Sequence, residues 1–167
     1  MQAWSTFYAT IGAAAATLLG LLFVAVSVNA SAALGSGDRL TSGMTEQAFQ
    51  NYLAVLLVAL LALFPAIPAA VFGYVILTAL AGRAVWVGVR LVQMVAYRNP
   101  RQSLFFALRR HASSVIGFGL LIYSAARMAL SWGENDNTLA AATVVLLFSA
   151  MTVSWELLRR IANPTPA

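Results

Sequence analysis

The sequence predicts an all-α, polytopic transmembrane helix bundle of five spans. Three observations predict it. Of the 167 residues, 61% are hydrophobic and only 9% are charged. Nearly every charge falls between long apolar runs rather than inside them. The runs are apolar all round, whereas a helix of a soluble domain buries one face and shows polar residues on the other. A membrane β-barrel would need strands of about 10 residues alternating polar and apolar, and the chain shows no such alternation.

A helix needs about 20 apolar residues to cross a hydrocarbon core of about 30 Å. The first span, 7–28, meets this without a charge. Ala30-Ser31-Ala32 resembles a signal-peptide cleavage site. No basic residue precedes the run, however, and it exceeds the roughly 7–15 apolar residues of a signal peptide, so it reads as a transmembrane helix. A Gly- and Ser-rich connection over 30–50 follows, holding Asp38, Arg39 and Glu46. The next apolar region runs from Asn51 to about Tyr97, interrupted by Phe64-Pro65-Ala66-Ile67-Pro68. As one straight helix it would reach about 70 Å, too long for a single span. If Pro65 ends one helix and Pro68 sits in the first turn of the next, where a missing N–H costs nothing, the region holds two spans, 50–64 and 68–90. The second span of the chain is then short, which needs local thinning of the bilayer. If the prolines only kink one helix, the chain has four spans. Arg83, Arg90 and Tyr97 then share one face of an interfacial helix. Spans 113–132 and 137–157 follow, joined by the outward loop Gly133-Glu134-Asn135-Asp136-Asn137. The whole chain, 1–167, reads as a single membrane-embedded domain.

All basic residues are Arg, and the net charge is +5. In a soluble chain that balance would suggest nucleic acid. Between apolar spans it follows the positive-inside rule, and no nucleic-acid partner is expected. The basic loop 98–112, with Arg98, Arg101, Arg109 and Arg110, is therefore expected on the cytoplasmic side, together with Arg159, Arg160 and the C-terminus. Leu104-Phe105-Phe106 between these arginines suits the anionic lipids of an inner leaflet. The Arg-only usage beside abundant Ala and Leu points to a bacterial source, hence to the cytoplasmic (inner) membrane. Trp4, Trp86, Trp132 and Trp155 fall near span ends, as interfacial aromatics do.

Little in the chain promises catalysis. There is no Cys, so no disulfide or thiolate site. His111, the one histidine, lies beside Arg109 and Arg110, which disfavour a metal or haem there. No HExxH, no Ser/His/Asp constellation and no glycine-rich phosphate loop is present, so neither an enzyme nor a cofactor is expected. Gly117-Phe118-Gly119 lies inside an apolar span and reads as packing.

The candidate residues are of two kinds. Gly12, Ala16 and Gly20 recur every fourth residue and form a small-residue stripe. In lipid such a stripe lets two helix backbones approach closely, either within this bundle or against another chain. Ser27 and Asn29 at the end of that helix can cap it. The second kind is charge at or inside the membrane, which is functional by default. Arg127 is close enough to the outer loop to reach the interface and meet Glu134 or Asp136. Glu156 precedes Arg159 and Arg160 at i+3 and i+4, the spacing of local ion pairs, and could otherwise serve a cation or proton pathway. With five spans, Arg90 could also reach Glu156, and Arg83 would need water, an acidic partner or a lipid headgroup.

Trp4-Ser5-Thr6-Phe7-Tyr8, the Ala-rich stretch leading into Leu19–Asn29, Phe64-Pro65, and Trp155-Glu156-Leu157-Leu158-Arg159 resemble a family of small uncharacterised bacterial multi-pass membrane proteins. Some of its members are labelled modulators of a membrane protease. The resemblance covers most of the chain, implies a membrane placement and supplies no catalytic residue.

These readings give a first expectation: a non-catalytic integral membrane subunit that packs into a larger membrane protein complex, or against itself, and stabilises or regulates it. The alternative is a homo-oligomeric ion channel or small transporter lined by Ser27, Asn29 and Asn51, with Glu156 or Arg83 at a constriction. A third reading is lipid binding through the Arg98–Arg110 loop.

Overall fold

Among the described residues, the computed structural model has five helices and no strand. It describes residues 4–30, 39–64, 67–82, 103–132 and 136–162; over 39–41 and 103–112 it describes the backbone alone. The helices are α1 (Ser5–Val28), α2 (Arg39–Leu63), α3 (Ala69–Gly82), α4 (Ser103–Ala129) and α5 (Asp136–Ala162). Three of them are long and apolar enough to cross a membrane: Ser5–Val28, Ser42–Leu63 within α2, and Asp136–Ala162. The apolar stretches Ala69–Gly82 and Ser113–Ala129 are shorter.

Two expected boundaries move. The connection read over 30–50 ends early, because α2 begins at Arg39. Thr45, Glu46 and Gln47 look like loop residues, yet Met44, Ala48, Tyr52, Val55 and Ala59 recur at helical spacing and are buried. That stripe holds the extra turns in helix, and the stretch long and apolar enough to cross a membrane, Ser42–Leu63, has 22 residues. Likewise, 103–112 is helical backbone at the start of α4 rather than the second half of a loop.

The helix does break at the prolines. α2 ends at Leu63, and α3 starts at Ala69 with the Pro68 carbonyl accepting the Phe72 N–H at 3.0 Å. Pro68 thus stands just before the first helical residue, where its lack of an N–H leaves no donor unpaired.

The chain divides into two compact units, Met1–Phe64 with Thr143–Ala167, and Pro65–Ala142. In the first unit α1 packs on α2. Gly12 lies opposite Ala59, and Phe23 meets Phe49 edge-on with ring centroids 6.5 Å apart. One residue number rises as the other falls, so the two helices run antiparallel. The buried face of α1 carries Tyr8, Gly12, Ala15, Leu22 and Val26, with Leu19 half-buried between. Steps alternating four and three residues keep one seam facing a neighbour.

Outward faces are strongly apolar. α2 exposes Leu53, Leu57 and Leu60, with Phe64 just beyond its end, and α5 exposes Val144, Phe148, Met151, Trp155 and Leu158. Exposed threonines turn their hydroxyls onto their own helix: Thr10 donates to the Thr6 carbonyl, Thr17 to Ala13 and Thr78 to Tyr74. In hydrocarbon no water would satisfy them, and this back-bonding satisfies these three hydroxyls within their own helix.

Candidate functional site

The small-residue stripe of α1 divides in two. Gly12 is buried, and a Cβ added there would lie 3.0 Å from the Ala59 Cβ. Ala16 and Gly20 are exposed, and a Cβ at Gly20 would meet nothing within 4 Å. The reason is angular. A row at i, i+4, i+8 drifts about 40° per step on a helix of 3.6 residues per turn, so Gly20 lies about 80° round from Gly12. Gly12 therefore serves the α1–α2 seam. Ala16 and Gly20 join a different row, Ala9, Ala13, Ala16 and Gly20, that faces outward.

Polar side chains occupy the interior of the first unit. Asn51 donates from Nδ2 to the Ser149 Oγ at 3.2 Å, both residues being fully buried. Ser154 donates to the Tyr52 hydroxyl at 3.4 Å. Asn51 lies 9 residues from Ser42 and 12 from Leu63, and Ser149 lies 13 from each end of α5. At helical rise these are depths of about 14–20 Å, so the bond sits near the middle of both candidate spans. Full burial of both residues keeps water from competing for it, although interhelical hydrogen bonds in membranes average only about 0.6 kcal/mol and reach about 1.7. A double-mutant cycle with Asn51→Ala and Ser149→Ala, read by SDS unfolding, should give a coupling energy of about 0.6–1.7 kcal/mol. Strictly additive effects would mean that this bond does not hold α2 to α5. Of the polar residues proposed for a pore, Asn51 is thus committed to Ser149. Asn29 donates through both its backbone N–H and its Nδ2 to the Ala25 carbonyl, capping α1. Ser27 is exposed.

Arg127 is half-buried and closes the end of α4. Its Nη2 donates to the Trp132 carbonyl at 2.8 Å, while its own carbonyl accepts the Trp132 N–H at 2.9 Å. The Ser131 N–H reaches the Met128 carbonyl at 3.2 Å, and Ser131 has φ 56°. This is the Schellman arrangement of a helix end, with serine in the left-handed position that glycine usually fills. Arg127 was expected to meet Glu134 or Asp136; the acceptor it has here is the Trp132 carbonyl, and Glu134 lies outside the described residues. Left-handed backbone costs a serine about 1–2 kcal/mol, more than the roughly 0.4–1 kcal/mol that glycine's extra freedom costs on folding. Ser131→Gly should therefore stabilise the protein by about 0.5–1 kcal/mol and raise its thermal midpoint in detergent; a lowered midpoint would refute the assignment.

Glu156 pairs as its spacing suggested. Arg160 Nε is 3.2 Å from Oε1, and Arg159 Nη1 is 3.7 Å from Oε2. Arg83, Arg90, Arg98 and Arg101 lie outside the described residues, as do the side chains of Arg109, Arg110 and His111. Among the described residues, no group of three or more His, Asp or Glu side chains is placed to hold a metal ion.

One position escaped the sequence reading. In the second unit, a Cβ added to Gly73 of α3 would come 2.5 Å from both the Ala125 carbonyl oxygen and the Ala129 amide nitrogen of α4. Two backbones touch here. The available signal was a pair of small-residue steps, Ala69 to Gly73 and Ala125 to Ala129, each four apart.

Compared with family models, with curated proteins and with solved structures, the chain matches none. The functional reading therefore rests on the residues and their geometry.

Proposed function

We propose that this chain is a non-catalytic integral membrane subunit. It packs into a larger membrane protein complex, or against further copies of itself, and stabilises or regulates that assembly. The positive-inside rule favours a cytoplasmic C-terminus, carrying Arg159 and Arg160, in a bacterial inner membrane.

The observation that supports this best is a contrast between outward faces. α2 and α5 turn large residues outward, as a lipid-facing helix does. α1 turns out large residues only in its last turns, at Leu21, Phe23, Val24 and Val28; before them it turns out Ala9, Ala13, Ala16 and Gly20 at the same four-three-four spacing. Small residues gain nothing against lipid, but they let another helix backbone approach.

The test is purification of the full chain from its native membrane in a mild detergent, followed by native mass measurement with and without Gly20→Leu. The wild-type chain should come as a complex of fixed stoichiometry. Gly20→Leu should release the chain from it while the chain's own thermal midpoint does not fall, since an exposed helical glycine is replaced by a better helix former. A monomer in the wild type, or an unchanged complex in the variant, would count against the reading. The alternative, a homo-oligomeric channel or transporter, has fewer pore residues to draw on once Asn29 and Asn51 are engaged within the fold. A closed homo-oligomer that carries ion flux in liposomes would restore it.

A further inference from the structure

The geometry points to an anionic phospholipid site on the outer face of α5, with Arg159 holding the phosphate and the row Val144, Phe148, Met151, Trp155, Leu158 lying along one acyl chain. The inference rests on the membrane placement proposed above and adds a ligand and its residues. The row is continuous: its members step by four and three residues and all are exposed. It runs 14 residues from Val144 to Leu158, about 21 Å at helical rise, roughly the depth that a phospholipid's acyl chain occupies within one leaflet and its interface. At its C-terminal end stands Trp155, 67% exposed, the residue type that seats at the headgroup level.

Arg159 follows one turn beyond Trp155 on the same face, four residues on. The charges of this last turn are not equivalent. Arg160 lies beside Glu156, toward the side of the helix that carries buried Val153 and Leu157, and its Nε is held at 3.2 Å. Arg159 reaches the same carboxylate only at 3.7 Å, and its side chain is 67% exposed. One carboxylate faces two guanidiniums, so a full positive charge is left over, and it sits on the more exposed and more loosely held arginine. A phosphate there meets donors in a planar fork. The helix C-terminus also favours a cation at this point.

The experiment uses the full chain with Trp4, Trp86 and Trp132 replaced by Phe, so that Trp155 alone reports. It is reconstituted into nanodiscs of phosphatidylcholine in which one lipid at a time carries brominated acyl chains that quench tryptophan. Quenching by brominated phosphatidylcholine tests the membrane placement itself. The further quenching by brominated phosphatidylglycerol, above its mole fraction, tests the site. We expect phosphatidylglycerol to be enriched about fivefold at Trp155, the effect of one basic contact near a membrane surface. Arg159→Gln should remove the enrichment, Glu156→Gln should increase it, and Arg160→Gln, which leaves Glu156 to Arg159 alone, should reduce it. Equal quenching by the two lipids, or an enrichment that survives Arg159→Gln, would overturn the site while leaving the membrane placement standing. No quenching by either lipid would overturn both, since this face would then be covered by protein or lie outside the bilayer.

Discussion

Replacing Gly73 with alanine should destabilise the protein by about 2 kcal/mol, although alanine is the better helix former. Two effects oppose each other. Gly→Ala inside a helix gains up to about 1 kcal/mol from backbone propensity. Against it, the new Cβ would lie 2.5 Å from the Ala125 oxygen and the Ala129 nitrogen, and 3.1 Å from the Ala129 Cα. All three are backbone atoms of α4, so no side chain can rotate away. The helices must separate, which opens gaps along the rest of their contact. Overpacking of this kind costs about 1–3 kcal/mol, occasionally more. The steric cost wins. Gly119→Ala on α4 is the control, because a Cβ there meets nothing within 4 Å; it should be neutral or stabilising by up to about 1 kcal/mol. SDS unfolding of the two variants in one detergent decides the matter. Equal midpoints would mean that α3 and α4 do not touch at Gly73.

What the sequence could reveal follows from how unusual each signal is. Prolines are rare in long apolar runs, so the break between Leu63 and Ala69 was readable, with Pro68 at a helix start. Glu156 stands three and four residues before two arginines, and few arrangements other than local pairs fit that spacing. Asn29 closing α1 was equally local. The failures concern patterns that depend on a neighbour. α2 starts at Arg39 because Met44, Ala48 and Tyr52 are buried against other helices, whereas composition alone makes Thr45-Glu46-Gln47 look like loop. Gly73 was hidden because a chain this rich in alanine holds many small residues four apart, and sequence does not say which of them meet. Gly12, Ala16 and Gly20 show the same limit from the other side: they make one row on paper, and helical drift turns them toward different neighbours.

The division of that row makes Gly12 the more informative half of a pair of experiments. A Cβ at Gly12 stands 3.0 Å from the Cβ of Ala59, so Gly12→Leu drives a branched side chain into the seam between α1 and α2. The expected loss is about 3 kcal/mol, at the upper end for overpacking. The same substitution at Gly20 changes only an outward face. The clash at Gly12 is between two side-chain positions rather than two backbones, so it can be relieved by exchange, which the contact at Gly73 does not allow. Gly12→Ala alone should cost about 1 kcal/mol, and Ala59→Gly alone about as much through propensity and lost packing. Together they restore the volume across the seam with the methyl moved from one helix to the other. The double variant should therefore recover at least half of the summed single losses, a coupling of about 1 kcal/mol. Losses that simply add would place Gly12 and Ala59 out of contact and remove the antiparallel register of α1 on α2. Recovery would fix that register by a measurement independent of any partner, leaving the outward row from Ala9 to Gly20 free to be tested for assembly alone.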